Sequence, residues 1–233
     1  MPLDFRQFDQ RGYPIQSVRD GYAEWAEYYD SIPLNVLDLP LLDRITTVDW
    51  PAAQRVIDLA CGTGRIGVWL REHDVRALDG LDLTPEMLAR ARTRDVYDSV
   101  LLGSVEETGL PDSQYDIATM VLADEHLSDL QPLYREVARI TRPFGRFVLV
   151  GYHPHFLLNG MPTHYHRADG EAVTVESYVH LMSDHVKAAT AAGWKLAEMD
   201  EWLIGDAWIA HKPSWERWRN HPFSYSMVWD RTR

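Results

Sequence analysis

Hydrophobic positions along this chain switch repeatedly between a period near two and a period near 3.6. Gln54 to Ala60 is a short β-branched apolar run, and Gly64 to Arg71 follows with helical spacing. The pair repeats: Val75 to Asp82 reads as a strand, and a helix opens at Thr84, a good N-cap, with Pro85 in its first position. Ser99–Leu102, Ile117–Leu122 and Arg146–Val150 are further strands, and Leu133, Val137 and Ile140 mark the apolar stripe of the helix before the last of these. Beyond them the pattern predicts a helix from Val175 to Ala192, capped by Thr174. That helix would turn Val179, Met182 and Val186 inward and set His180 and Asp184 on one face. Strands over Trp194–Ile204 and Phe223–Trp229 close the chain, with a short aromatic helix or loop at Lys212–Trp218 between them. Short apolar strands alternating with helices predict an α/β protein, with the elements from 54 to 230 in one sheet.

The flanks differ from this middle. Val18 to Tyr29 carries Tyr22, Trp25, Ala26 and Tyr29 at helix-face spacing, and Pro33 and Pro40 interrupt the stretch between that helix and the first strand. Residues 1–50 are therefore expected to form an N-terminal helical cap, and residues 51–233 a single domain. An insert over about 153–173 is too long for a tight connection and reads as a lid or functional segment.

Composition narrows the partners. The 233 residues are 45% hydrophobic and 25% charged, enough to bury one substantial core. A net charge of −12 without a Lys/Arg cluster argues against a nucleic-acid partner, because phosphate binding needs a basic surface. The single Cys61 cannot form an internal disulfide, and no apolar run approaches membrane-spanning length. The N-terminus has neither a basic nor an apolar signal region, so a cytoplasmic protein with no membrane partner is expected, as a monomer or homodimer. Nine Trp, eleven Tyr and six Phe crowd the two ends of the chain, which suggests an aromatic acceptor pocket outside the central sheet.

The segment Val56-Ile57-Asp58-Leu59-Ala60-Cys61-Gly62-Thr63-Gly64-Arg65-Ile66-Gly67 carries the most specific chemistry. It reads strand, glycine turn, helix. Gly62 and Gly64 admit a ligand close to the backbone, and Gly67 sits where a helix presses on its strand. The letters satisfy G-x-G-x-x-G, yet Asp58 at the strand's end would repel a dinucleotide's diphosphate and suit a ligand ammonium instead. Eighteen residues after Gly64, Asp82 ends the second strand, where a carboxylate meets a ribose. Asp79 alternates to the opposite side and reads as solvated.

Asp58 to Gly64, together with Gly80-Leu81-Asp82-Leu83-Thr84-Pro85-Glu86-Met87-Leu88, resembles the class I S-adenosylmethionine-dependent methyltransferases of small-molecule type. Tyr115-Asp116 before the fourth strand resembles them too, so the likeness runs over about residues 55–152. It implies a doubly wound, Rossmann-like, seven-stranded and mostly parallel sheet with the last strand reversed. It implies S-adenosylmethionine as methyl donor, bound by Tyr29, Asp58, Ala60, Gly62, Gly64, Asp82, Leu83, Met87, Ser104, Val105 and Leu122. The family's acid for the adenine amino group is here Ser104, with Glu106 as its substitute, and its usual Pro-Gly-Gly is Pro143-Phe144-Gly145.

Candidates for acceptor chemistry leave the carboxyl ends of the central strands. His126 with Glu125 is the first choice of base, His153 and the insert's His155 and His164 are reserves, and Tyr22 would position a ring. His166 completes the insert's histidines, but no metal-ligand spacing accompanies them, and methyl transfer from a sulfonium needs no metal. The expectation is methyl transfer to O, N or C of a small aromatic or heterocyclic acceptor, as in secondary metabolism. A nicotinamide-dependent oxidoreductase and a non-catalytic S-adenosylmethionine-binding protein are the alternatives.

Overall fold

The computed structural model describes residues 3–232. Strands β1 (Leu3–Asp4) and β2 (Ile15–Gln16) precede helices α1 (Val18–Trp25) and α2 (Leu39–Arg44). The doubly wound body begins with β3 (Val56–Leu59), α3 (Arg65–Glu72), β4 (Leu78–Asp82), α4 (Pro85–Thr93) and β5 (Ser99–Leu102). It continues through β6 (Tyr115–Val121), α5 (Leu130–Ile140) and β7 (Thr141–Tyr152). Then come α6 (Pro154–Leu158), β8 (His164–His166), β9 (Ala172–Val175), β10 (Tyr178–Val179) and α7 (Met182–Ala191). The chain ends with β11 (Trp194–Leu203), α8 (Asp206–His211) and β12 (Pro222–Arg231).

Seven strands form the central sheet in the order β11-β12-β7-β6-β3-β4-β5. Pairing is parallel from β7 to β5, and β12 runs antiparallel to both neighbours, as the family resemblance implies. Strand residues alternate between two cores: Phe147 and Leu149 join Tyr134 and Trp229 on one face, Val148 and Val150 join Trp69 and Leu70 on the other. Burial on both faces explains the near-continuous apolar runs of these strands. From β3 the chain winds outward to β5, then returns to β6 on the other side of β3. That reversal opens a crevice at the carboxyl ends of β3 and β6.

Strand boundaries in the sheet fall within a few residues of expectation, except that β7 begins at Thr141 rather than Arg146, and outside the sheet the elements differ. Residues 3–44 are not purely helical: β1 pairs with β10, and β2 lies beside β9, which also pairs with β8. The insert therefore extends past residue 173 and builds a three-stranded sheet with the N-terminal segment, so the strands beyond 150 do not all join the central sheet. The helix expected from Val175 begins only at Met182, because Val173, Thr174 and Val175 are β-branched and pair as a strand. Val186 is consequently exposed, His180 precedes the helix and bonds the Leu127 carbonyl (2.7 Å), and Asp184 instead accepts from the Leu181 amide (3.0 Å). Asp79, expected in solvent, is buried and paired with Arg55 (2.8 Å) and the Tyr115 hydroxyl (2.9 Å).

Polar straps fasten the N-terminal cap to the glycine loop. Thr63 donates to Asp30 (2.6 Å), which also pairs with Arg94 (2.7 Å), and Arg65 pairs with the buried Asp38. Arg90 donates to the Ala26 and Glu27 carbonyls at the end of α1 (2.6 and 2.7 Å). The aromatic face of α1 is thereby held over the crevice.

Candidate functional site

A cleft of about 240 Å³ opens at that crevice. Its floor is the glycine turn. Gly62 has φ +54°, and a Cβ built there would meet nothing within 4 Å, so the turn borders open space. Ala60 (φ 52°) and Leu122 (φ 56°), just past β3 and β6, line the same cleft in the left-handed region without being glycine. Such backbone strain collects at ligand sites.

Asp82 forms one wall. Its two oxygens accept from the Gly62 and Thr84 amides, both at 2.8 Å. A carboxylate has about four lone-pair sites, so each oxygen retains capacity for a hydroxyl donor. Burial raises its carboxyl above the ordinary value, against these backbone donors. Leu83, Met87, Val105 and Leu122 make an apolar slot beside it, with Ser104 and Glu106 among the lining residues as polar acceptors. A carboxylate with free acceptor capacity beside an apolar slot suits an adenine nucleoside, and the absence of Lys or Arg among the described lining residues suits one without phosphates.

Tyr22, Tyr29 and His126 close the cleft from the cap side. The His126 tautomer is set by its partners. Nδ1 lies 2.7 Å from the Glu176 carbonyl, which can only accept, so Nδ1 carries the proton. Nε2 of the neutral ring then presents its lone pair to the Tyr22 hydroxyl at 2.8 Å. Glu125 Oε1 lies 3.6 Å from that same nitrogen and accepts from Thr163 at 3.0 Å, while Oε2 has no partner among the described residues. Burial raises the Glu125 carboxyl, and the neighbouring His126 works in the opposite direction.

Four expected site residues are absent from the cleft lining, one of them Glu125, which lies 3.6 Å from the His126 Nε2 without lining the cleft itself. Asp58 stands behind the glycine turn, outside the cleft lining; both its oxygens are taken, by Tyr97 (2.6 Å) and Thr119 (3.0 Å). Burial pushes its carboxyl up to about 6 in spite of these donors. Gly64 also faces away, onto Tyr97, Arg94 and Ala91. His153 is outside the cleft lining as well. It caps α6 by accepting from the His155 amide (3.1 Å) and bonds Glu201 (3.1 Å).

A second cavity, of about 360 Å³, has a lining that packs against that of the first through Trp25, and His153 does not line this one either. Trp25, Tyr152, Phe156, Tyr165, Trp215 and Phe223 give it aromatic walls. Trp25 packs between the two spaces, 5.6 Å from the Tyr22 ring and 5.1 Å from the Tyr29 ring. Thr163 lines the cavity and bonds Glu125, next to His126 in the cleft. Trp25 and Thr163 carried no local signal of such a role. They are brought together by the pairing of β2 with β9.

Residues 57–149 match the sequence family described as the methyltransferase domain. Residues 57–149 carry a methyltransferase domain, and its motifs are those that resemble the class I S-adenosylmethionine-dependent enzymes. The chain is 39% identical over 92 residues to a malonyl-[acyl-carrier protein] O-methyltransferase of Serratia marcescens, covering 40% of this chain and 36% of that one. It is 41% identical over 108 residues to an uncharacterized methyltransferase of Mycobacterium tuberculosis, covering 44% of this chain and 43% of that one. The chain thus spans between a third and a half of the length of these curated relatives. Two solved structures share the fold across most of both chains. An S-adenosylmethionine-dependent methyltransferase from Mesorhizobium loti superposes with TM-score 0.63 at 23% identity, over 91% of this chain and 99% of that one. The [4+2]-cyclase SpnF superposes with TM-score 0.65 at 15% identity, over 94% and 98%. A methyltransferase and a cyclase on one fold show that the fold alone does not settle the reaction.

No cluster of His, Cys, Asp or Glu among the described residues is placed to hold a metal ion, and no helix among them is long and apolar enough to cross a membrane.

Proposed function

We propose that the chain transfers a methyl group from S-adenosylmethionine to a small aromatic acceptor seated in the 360 Å³ cavity. One observation carries this reading: Trp25 of the aromatic cavity packs against Tyr22 and Tyr29 of the donor cleft, and His126 of the cleft reaches Thr163 of the cavity through Glu125. Bound, S-adenosylmethionine supplies a methyl group on a sulfonium sulfur, a carbon electrophile that needs no further activation.

Asp82 holds the ribose hydroxyls, the slot of Met87, Val105 and Leu122 takes the base, and the Gly62 turn leaves room for the amino-acid end. The aromatic walls orient the acceptor and exclude water, which supplies most of the rate in a displacement of this kind. His126 Nε2, its lone pair already turned inward by the Glu176 carbonyl, takes the proton that an acceptor hydroxyl gives up, directly or through the Tyr22 oxygen. Glu125 Oε1 stands 3.6 Å from that nitrogen, facing the proton it takes up.

The family match speaks to the donor half: every residue lining the aromatic cavity lies outside the matched segment 57–149. A direct test is Met161→Trp, which fills the cavity from its wall. With labelled donor and a panel of small phenols, it is expected to abolish transfer while leaving S-adenosylhomocysteine affinity unchanged. Transfer that persists at the original rate would place the acceptor elsewhere.

A further inference from the structure

The aromatic cavity has a polar end, and its charge runs against the rest of the molecule. The protein carries twelve more acidic than basic residues, yet Arg11 and Lys212 both line this cavity and no Asp or Glu among the described residues does. Neither cation is paired with a carboxylate among the described residues. Other arginines contrast with them: Arg65, Arg94, Arg139 and Arg219 each hold at least one.

Arg11 is held in place by neutral groups. The His164 Nδ1 lies 2.8 Å from the Pro162 carbonyl and must donate to it, so Nε2 is the free acceptor and takes a guanidinium N–H at 3.4 Å. Burial pushes His164 down to about 4, and the Arg11 charge adds to that shift, so the ring stays neutral at physiological pH. The Tyr13 ring sits 5.7 Å from the guanidinium on another side. The nearest acid in sequence, Asp9, is spent on backbone: its oxygens accept from the Arg11 and Gly12 amides at 2.9 and 3.1 Å.

Lys212 lies with its ammonium 4.7 Å from the Trp215 ring centre. Partial burial and the Arg11 charge hold it below its ordinary value. Two like charges at one cavity, neither neutralised, oppose each other unless an anion sits between them. Arg offers a planar fork and Lys a point charge, a combination suited to a carboxylate or phosphate oxygen pair.

We infer that Arg11 and Lys212 form an anion subsite, and that the acceptor is an aromatic compound bearing a carboxylate or phosphate at the end away from the methylated atom. The inference rests on the acceptor reading of this cavity and adds the class of compound it takes.

The test uses the full chain saturated with S-adenosylhomocysteine, which also reports folding of each variant. Four probes are titrated calorimetrically: 4-hydroxybenzoate, phenyl phosphate, and the neutral 4-hydroxybenzamide and phenol. The expected result is that the acid or the phosphate binds at least about tenfold tighter than the neutral pair, equivalent to one charge-assisted hydrogen bond. Whichever anion shows the larger margin identifies the group. In the double variant Arg11→Gln/Lys212→Met that margin is lost, while the neutral probes bind as before. Equal affinity for charged and neutral probes in the wild type, or a margin that survives the double variant, overturns the anion subsite and leaves the aromatic cavity as acceptor site. If no probe binds while S-adenosylhomocysteine does, the acceptor reading itself falls, and the subsite with it.

Discussion

Gly67→Ala tests what the glycine motif is for. In an exposed helix interior this change gains about 0.5–1 kcal/mol, because glycine pays more backbone entropy than alanine. Here the sign reverses. A Cβ at Gly67 would lie 2.5 Å from both Cζ and Oη of Tyr97, whose ring also packs against Gly64 and Gly80. The ring fills a notch that these three glycines leave open, and its hydroxyl reaches Asp58 at 2.6 Å. Alanine must therefore push Tyr97 out. Overpacking costs about 1–3 kcal/mol, and losing a hydrogen bond to a buried carboxylate costs about 1.5–3 kcal/mol. Less the helix gain, the net is a loss of about 2–5 kcal/mol, measured by urea unfolding. Tyr97→Phe isolates the hydroxyl and should cost about 1.5–3 kcal/mol at pH 8. Its penalty depends on pH. Asp58 is held at about 6 in the fold, above its ordinary 3.8. Removing its donor raises that value further, so the penalty is full above both folded values and shrinks as the pH falls to 5, where the carboxyl is protonated. The decisive comparison is Gly67→Ala in a Tyr97→Val background, where the ring is gone. There the substitution should be neutral or stabilising. A loss of 2 kcal/mol or more in that background would refute the steric argument.

The same geometry sets other outcomes. His126→Ala should lower turnover about a hundredfold or more while S-adenosylhomocysteine binds as before, and Tyr22→Phe should lower it less, because only the hydroxyl next to Nε2 is removed. Asp82→Ala should weaken calorimetric S-adenosylhomocysteine affinity by about a hundredfold, since two charge-assisted hydrogen bonds disappear; unchanged affinity would remove Asp82 from the ribose site. Burial favours a raised Glu136 carboxyl, but hydrogen bonds from Arg139 and Thr108 outweigh it and hold the group at about 2. Its stabilisation is therefore present above pH 4.5 and lost as the pH falls from there toward 2. Wild type should lose stability more steeply than Glu136→Gln over that window in pH-dependent melts.

The donor half was legible because its signals are local. β3 and β4 are buried runs whose last acids and glycines fall within a few residues of one another, and a parallel strand covered on both faces must be apolar. Local reading gave both Asp58 and Asp82 to the donor, one at its ammonium and one at its ribose. Only the fold separates them, since Tyr97, which occupies Asp58, lies 39 residues away and belongs to no motif. The left-handed Ala60 and Leu122 were equally silent, because neither residue type announces a positive φ. Outside the sheet, periodicity was outweighed by pairing: Val175 and Val179 fit a helical stripe, but β-branched neighbours and partners in the N-terminal segment draw them into strands. The aromatic cavity was visible only as aromatic crowding at the two chain ends, since Arg11, Trp25, Phe156 and Trp215 meet through those same long-range pairings.

The two halves of the proposed site meet at one short turn, and neighbouring acids there do opposite work. Asp124, Glu125 and His126 form a single 3-10 turn directly after β6. Asp124 points into the core beneath the sheet, where it accepts from Tyr225 (2.7 Å) and lies 3.4 Å from His185, itself bonded to Tyr134 (3.0 Å). Burial opposes its charge, but His185 and Tyr225 prevail and keep the carboxyl below its ordinary value. Gly151 leaves the space for it, since a Cβ there would collide with the Asp124 carboxylate. Glu125 has the same burial with weaker support, a single Thr163 hydroxyl at 3.0 Å, and its carboxyl is raised instead. Anchoring one acid fixes the turn, and fixing the turn sets the His126 ring between the Glu176 carbonyl and Tyr22. The anchor contributes no atom to the cleft. It is the reason a three-residue turn can hold an imidazole lone pair against the Tyr22 hydroxyl at the edge of the donor cleft.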